Sequence, residues 1–231
     1  MKKKTQPKAG NEDLTLRAIN SIKNMLFSNE ITSALRLNAR DLSKRLNMSP
    51  TPVIQALKLL HFQGILGHIP NKGYFLETNT PQMIQDIFNL RMALESEGFE
   101  TILSRITAKD WQELENAVAT HLDALEKDSA RHVLMADMTF HITLARISCG
   151  SAGERLMRNL FEMLYLKNRG VILYISPRQR FGTHHQVILE HLKKGDIRGA
   201  QKALQHHLTA VRNAVLSSME SQTDQDFNLN W

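Results

Sequence analysis

Residues 38–75 read NARDLSKRLNMSPTPVIQALKLLHFQGILGHIPNKGYF, and this stretch decides the fold of the N-terminal part of the chain. Asn38 can cap a short helix whose buried side begins with Leu42. Ser49 and Pro50 suit the first positions of a second helix. That helix has apolar side chains at three- and four-residue steps, at Val53, Ala56, Leu57 and Leu60. The pattern predicts a helix-turn-helix.

A short hairpin is predicted directly after the second helix. Gly64 ends that helix, and Ile65-Leu66 begins the next segment. A turn at residues 68–72 then leads into Gly73–Leu76, so the pattern indicates two short strands joined by a basic tip. A helix-turn-helix followed by such a hairpin is typical of a unit that enters a groove of DNA.

This arrangement resembles the winged-helix DNA-binding domain of the GntR family of bacterial regulators. The segments that carry the resemblance are Asp41–Ser43, Met48–Val53, Ala56–Leu57 and Gly64–Leu66. The resemblance implies contacts with double-stranded DNA from the first helix, the recognition helix and the wing. The implied residues are Arg40, Lys44, Arg45, Ser49, Thr51, Gln55 and Lys72.

The recognition helix departs from the family pattern, because Pro50 and Ile54 stand where basic residues are usual. Gln55 stands where an acidic residue is usual, and its amide can read adenine in the major groove. Lys58 can hold a phosphate. A winged helix that serves protein interaction would show the same caps and apolar steps, so a protein-interaction adaptor remains an alternative.

Positive charge is concentrated in the same part of the chain. Residues 1–77 contain 12 Lys or Arg and 5 Asp or Glu, whereas residues 78–231 contain 17 and 18. A basic domain beside a nearly neutral one is expected of a protein that contacts phosphates through one domain. Four lysines within residues 2–8 lie in a polar end that we expect to be disordered, so their charge is discounted.

The composition is that of a soluble protein with two domains. With 231 residues and 42% hydrophobic content, the chain can bury a substantial core. No apolar run approaches the roughly 20 residues that span a bilayer, and no hydrophobic segment follows the Lys-rich start. We therefore expect a cytoplasmic protein. Its single cysteine, Cys149, excludes an internal disulfide and a cysteine-ligated zinc site.

From Pro81 onward the hydrophobic periodicity is almost entirely helical. It predicts six helices, at about residues 81–104, 107–127, 130–147, 152–175, 177–194 and 196–219. The predicted fold class is mostly α, with an N-terminal winged helix-turn-helix followed by an antiparallel all-α bundle of about six helices. The predicted boundaries are a disordered tail at 1–11, the winged helix at 12–77, a linker at 78–82, the bundle at 83–220 and a polar tail at 221–231.

Four polar residues fall on stripes that the periodicity assigns to the bundle interior. Asp137 and His141 lie one turn apart on one predicted helix, while His185 and His207 belong to two others. Burying a carboxylate and three imidazoles without partners is costly, so we expect them to converge on one another or on a metal ion. Spacing alone does not decide whether the four side chains meet.

These segments resemble the ligand-sensing FCD domain found in the FadR subfamily of GntR regulators. Residues 137–141, DMTFH, match its Asp-x-x-Phe-His element, and residues 185–208 match its two-helix pattern. The alignment selects the second histidine of each doublet, 184–185 and 206–207. The resemblance implies a divalent metal held by Asp137, His141, His185 and His207, with coordination positions left for a small organic acid. Zinc or nickel suits an imidazole-rich site, and manganese is a further candidate.

Arg91 is the predicted effector-binding residue. It shares a helical stripe with Ile84 and Phe88, which directs it toward the bundle interior, and it matches an arginine of the FCD domain on this helix. A guanidinium group there can clamp a carboxylate through two parallel hydrogen bonds. The alternative is an i, i+4 ion pair with Glu95 that only supports the helix.

Together these features predict a DNA-binding transcriptional regulator and no enzyme. A homodimer would bind a palindromic operator, and a small carboxylate bound near the metal would change the affinity for that operator. A metal-dependent hydrolase is the alternative from another class, because a metal with an open position can activate water. Since no general base stands at a recognisable spacing, we expect no catalytic residues.

Overall fold

The structure is a computed structural model with two compact units, one ending at Thr78 and the other beginning at Asn79. It describes residues 13–32, 36–127, 130–167 and 182–227. None of the helices in these ranges has the length and apolar content that crossing a lipid bilayer requires.

The first unit combines helices with a three-stranded antiparallel sheet. Its elements are α1 (Leu14–Phe27), β1 (Arg36–Leu37), α2 (Ala39–Leu46), α3 (Pro50–Phe62), β2 (Leu66–Ile69) and β3 (Gly73–Leu76). Helices α2 and α3 form the predicted helix-turn-helix, and β2 and β3 form the predicted hairpin. The winged-helix fold is therefore confirmed.

Local interactions mark the start of α2 and the end of α3. The side chain of Asn38 accepts a hydrogen bond from the Arg40 N–H group at the start of α2. Ser49 occupies the N-cap position of α3, but its side chain makes no capping bond. Gly64 ends α3 with a φ of 72°, and its N–H group donates to the His61 carbonyl. Glycine suits that left-handed position because it has no Cβ.

The hairpin is longer than the sequence pattern indicates. Strand β3 lies between β1 and β2, with Leu66 of β2 opposite Leu76 of β3. His68 and Ile69, which the pattern assigned to the turn, belong to β2. The predicted start of the turn was thus wrong by two residues, because pairing with β3 extends the strand. Strand β1 had no distinct sequence signal.

The second unit is entirely helical within the residues that the structure describes. Its elements are α4 (Pro81–Ser96), α5 (Phe99–Arg105), α6 (Ala108–Glu126), α7 (Ala130–Lys167), α8 (Gly182–Lys193) and α9 (Ile197–Phe227). Helix α6 begins as predicted at Thr107, whose side chain forms a capping box with Asp110.

One predicted helix in this unit is divided in the structure, whereas one predicted break is present as a kink. The first predicted helix is divided into α4 and α5 by a turn at Glu97 and Gly98. The predicted break near residue 150 lies at the kink of α7, where two helical segments meet. Gly150 has a φ of 62° and a ψ of −154°, which are not helical values. The kink directs the two halves of α7 along different axes.

The ends of the chain and one internal segment complete the comparison with the predicted elements. Helix α9 continues to Phe227 and includes part of the predicted polar tail. Asn79, in the predicted linker, is buried and donates a hydrogen bond to the Met163 carbonyl. The tail at residues 1–11 and the predicted helix boundaries within 168–181 lie outside the described residues.

Helix packing in the second unit creates a buried polar centre. Helix α6 packs against α7, α8 packs against α9, and α4 packs against both α7 and α9. Phe99, Phe140 and Phe161 are completely buried among these helices. The polar side chains on the inner faces of α4, α7, α8 and α9 therefore share one enclosed space.

Candidate metal centre

Four buried side chains from three helices converge in the second unit, as a metal site would require. Asp137 and His141 lie on α7, His185 on α8 and His207 on α9. The three imidazoles are fully buried, and Asp137 is 7% exposed. The Nε2 atom of His141 lies 3.1 Å from both other Nε2 atoms, which are 3.2 Å apart.

The aspartate completes a compact set of four donor atoms. Its Oδ1 atom lies 3.3 Å from Nε2 of His185, 3.6 Å from that of His141 and 3.7 Å from that of His207. In a neutral imidazole, Nε2 is either a hydrogen-bond donor or an acceptor, but not both. Three neutral imidazoles therefore cannot all hydrogen-bond to one another through Nε2. Four corners at these separations lie about 2.0 Å from a common centre, which is the usual distance from zinc to nitrogen. The donor set therefore fits a divalent metal.

Two further contacts orient members of this set. Tyr165 donates a hydrogen bond of 2.8 Å from its hydroxyl group to Oδ2 of Asp137, which leaves Oδ1 facing the imidazoles. Burial raises the pKa of Tyr165 well above its ordinary value, so the hydroxyl group stays a donor. On the other side, Nδ1 of His141 is hydrogen-bonded to Oε2 of Glu95. Such outer partners determine which imidazole nitrogen keeps a free lone pair.

His121 on α6 is a neighbour of this centre that the sequence pattern missed. It is 2% exposed, and its Nδ1 atom lies 3.1 Å from Nδ1 of His185. Leu122 lies at helical spacing from Leu114 and Val118, but Leu122 is half-buried and His121 faces inward. The spacing of His121 from Leu114 and Val118, seven and three residues, is the signal that identifies it.

Burial keeps two of the imidazoles neutral. It lowers the pKa of His185 to about 4 and holds the pKa of His207 well below its ordinary value. For Asp137, burial opposes ionisation, but contacts with His141 and His185 hold its pKa well below the ordinary value. Burial also opposes protonation of His141, but the Glu95 carboxylate raises its pKa. A carboxylate and neutral imidazoles are the forms that bind metals.

Arg91 lies beside this centre, completely buried on α4. Its Nε–H group donates to Oε1 of Glu95 at 3.1 Å, so the ion pair considered from the sequence is present. The guanidinium carbon lies 4.3 Å from the centroid of the Phe161 ring. Both terminal nitrogens, Nη1 and Nη2, are buried without a hydrogen-bond partner among the described residues. These two nitrogens form a planar pair of N–H donors for a carboxylate that enters the site.

The predicted DNA-contacting residues all lie in the first unit and are all exposed. Two of them already have partners: Arg45 forms an ion pair of 3.0 Å with Glu30, and Gln55 accepts a hydrogen bond of 2.8 Å from the Thr15 hydroxyl. The exposed set comprises Arg40, Lys44 and Arg45 of α2, Ser49 before α3, Thr51, Gln55 and Lys58 of α3, and Lys72 between β2 and β3.

Comparison with known proteins relates this architecture to one group of regulators. The FCD domain family matches residues 86–210, which is more than half of the chain. YdhC, an uncharacterized HTH-type transcriptional regulator of Bacillus subtilis, is 22% identical over 202 residues, spanning 83% of this chain and 86% of YdhC. The HTH-type transcriptional repressor RspR of Escherichia coli is 22% identical over 188 residues, spanning 81% of this chain and 82% of RspR.

A solved structure shares the same fold. Escherichia coli McbR/YncC superposes with a TM-score of 0.76 at 21% sequence identity. The superposition covers 90% of this chain and 98% of that one, so it includes both units.

Proposed function

The chain belongs to the FCD-domain group of GntR-family transcriptional regulators, and we propose that a divalent metal and a small organic acid bound in its helical unit control its affinity for DNA. The observation that carries the proposal is the convergence of one carboxylate and three imidazoles in a buried site. The relatives are transcriptional regulators and not enzymes, so a binding role is favoured over hydrolysis.

In this proposal Asp137, His141, His185 and His207 hold the metal. Three imidazoles with one carboxylate suit zinc or nickel, and manganese is the third candidate. When bound, the metal supplies a positive charge and a coordination position for an anionic oxygen. The protein's contribution is to keep His185 and His207 neutral through burial and to orient Asp137 through Tyr165.

The charge of the described residues favours an anionic effector. Arg91 and Glu95 compensate each other, and Asp137 compensates only half of a divalent charge, so one positive charge remains in the buried site. A buried net charge is unfavourable unless it is paired. A carboxylate supplies the missing charge, and the two terminal nitrogens of Arg91 can donate to it in parallel.

The first unit is the proposed DNA-binding part. Arg40, Lys44, Lys58 and Lys72 are exposed and can contact phosphates directly. Arg45 and Gln55 would contact DNA by exchanging their partners Glu30 and Thr15. We propose that a homodimer places two such units on a palindromic operator. An acid that binds one arrangement of the dimer more tightly than another shifts operator affinity by that difference.

Selection of random duplex DNA by the purified protein tests this proposal. We expect enrichment of a palindrome, with a recovery that changes after chelation of the metal and after addition of a pool of small organic acids. Retention of DNA that depends on salt but not on sequence or effector would contradict it.

The histidine doublets provide matched control variants. His185→Ala and His207→Ala should abolish the response to metal and acid, whereas His184→Ala and His206→Ala should retain it. An equal loss in all four variants would show that the response depends on helix stability and not on the four donors.

A further inference from the structure

Glu95 lies between the two parts of the proposed site. It is 1% exposed and contacts Arg91 with one carboxylate oxygen and His141 with the other. Oε1 accepts the Nε–H group of Arg91 at 3.1 Å, and Oε2 is hydrogen-bonded to Nδ1 of His141. One carboxylate therefore touches both the proposed effector clamp and a proposed metal ligand.

We propose that Glu95 is a positioning residue that couples the metal to the effector-binding arginine, so that binding at either place strengthens binding at the other. The inference rests on the proposed function, because it assumes a metal at the four donors and an anion at Arg91. It adds a residue that contacts neither the metal nor the anion.

The contact between Glu95 and His141 controls the tautomer and the orientation of this proposed metal ligand. A metal on Nε2 requires the proton of the neutral imidazole to be on Nδ1, which is the atom that faces Glu95. A carboxylate acceptor there stabilises that tautomer and fixes the plane of the ring. Loss of an outer partner of this kind typically lowers metal affinity about 10- to 100-fold.

The contact between Glu95 and Arg91 controls the orientation of the guanidinium group that would bind the effector. The bond from Nε to Glu95 and the contact with Phe161 hold the guanidinium plane from two directions. The guanidinium group stays charged in proteins, so its terminal nitrogens remain donors. Because Nε is occupied by Glu95, Nη1 and Nη2 are the donors left for a carboxylate.

Coupling follows from the shared carboxylate. Glu95 is buried, and its two oxygens belong to one planar carboxylate group, so they move together. When the metal fixes His141, it also fixes the acceptor that orients Arg91. Such coupling is reciprocal, and an anion held by Arg91 should increase metal affinity by the same factor.

Zinc titration of the full-length protein, with a competing chelator, tests the metal side. Zinc also allows the Arg91 side to be followed in ¹H–¹⁵N spectra, where the Nε–H signal of Arg91 is assigned by its absence in Arg91→Lys. In the wild type we expect zinc to shift this signal. In Glu95→Gln we expect zinc affinity to fall about 10- to 100-fold and the Arg91 signal to lose its response.

Glu97→Gln is the matched control, because it removes the same charge two residues away at an exposed position. It should behave as the wild type in both measurements. If Glu95→Gln does not fold, Glu95→Asp replaces it; its shorter side chain keeps the charge but cannot span both partners, so the same two losses are expected.

Two results would overturn the coupling while leaving the proposed function intact. One is wild-type zinc affinity in the Glu95 variants, and the other is an Arg91 signal that does not move when zinc saturates the wild type. A wild-type protein that binds no zinc, nickel or manganese would instead overturn the metal proposal, and this inference with it.

Discussion

The protonation of single imidazoles governs the chemistry of the polar centre. His185 and His207 are kept neutral by burial, while Glu95 stabilises a proton on Nδ1 of His141. His121 provides the corresponding outer contact for His185. A metal on Nε2 of His185 places its proton on Nδ1, which can then donate to Nδ1 of His121. The tautomers that carry the proton on Nδ1 and leave Nε2 free thus depend on residues outside the set of four donors.

Replacement of His121 tests this dependence at the residue scale. His121→Phe keeps the volume of the ring but removes the acceptor that faces His185, so we expect zinc affinity to fall about 10- to 100-fold. The affinity is measured by titration against a competing chelator. His132→Phe, at an exposed position of α7, serves as the control. Unchanged zinc affinity in His121→Phe would mean that His185 is oriented by packing alone.

The lowered pKa of His185 predicts a pH dependence of stability in the metal-free protein. The unfolded state takes up a proton near pH 6.5, whereas folded His185 resists it until about pH 4. Its contribution to stability is therefore complete above pH 6.5 and is lost as the pH falls toward 4. Urea unfolding of the metal-free protein, measured with a chelator present, should show that the free energy of unfolding decreases as the pH falls through this interval.

The raised pKa of His141 has the opposite effect, because it increases the free energy of unfolding as the pH falls. A variant is therefore needed to isolate the contribution of His185. His185→Gln should show a smaller decrease than the wild type over the same pH interval. A decrease of equal size in both proteins would assign the effect to other groups.

At the scale of elements, α7 carries residues of the polar centre on both sides of its kink. Asp137 and His141 precede Gly150, and Tyr165, which binds Asp137, follows it. The backbone at Gly150 has a positive φ with an extended ψ, a combination that is essentially confined to glycine. This one residue allows both halves of α7 to face the same centre.

Gly150→Ala should therefore destabilise the helical unit. An added Cβ meets no atom within 4 Å, so the cost comes from the backbone conformation and not from a clash. We expect a loss of about 1–3 kcal/mol in the free energy of unfolding, measured with urea. Ser151→Ala, at the adjacent exposed position, should change it little. A Gly150→Ala protein as stable as the wild type would contradict the argument.

At the scale of the whole molecule, the chain has two units with different chemistry. The exposed residues predicted to contact DNA lie before Thr78, and the buried donors lie after Asn79. The proposed ligands come from α7, α8 and α9, so a bound metal would link three helices of the second unit only. Metal binding and DNA contact are thus proposed for separate parts of the chain.

Metal should raise the thermal stability of the second unit selectively. Metal at 1,000 times its dissociation constant adds about 4 kcal/mol to the free energy of unfolding of the unit that binds it. Calorimetry with and without nickel should show one transition moving upward while the transition of the first unit stays in place. The shift should persist in His184→Ala and vanish in His185→Ala. An upward shift of both transitions would indicate that the units unfold together.

Several features were predictable because they depend on neighbouring residues. The caps at Asn38 and Thr107 and the stop at Gly64 involve groups a few positions apart, so the sequence pattern locates them. Apolar periodicity likewise predicted that Arg91, Asp137, His141, His185 and His207 face inward, and all five are buried. The division at Gly98 and the length of β2 were missed, because packing and cross-strand pairing decide them.

The sequence by itself determined the element types, the concentration of positive charge before residue 78 and the identities of the inward-facing polar residues. Each of these depends on local periodicity or composition. Only the tertiary structure decided that His141 meets His185 and His207, which lie 44 and 66 residues away along the chain. It also decided that Glu95 touches both Arg91 and His141, and that His121 reaches His185. These contacts follow from how α4, α6, α7, α8 and α9 pack together, which residue spacing along one helix does not specify.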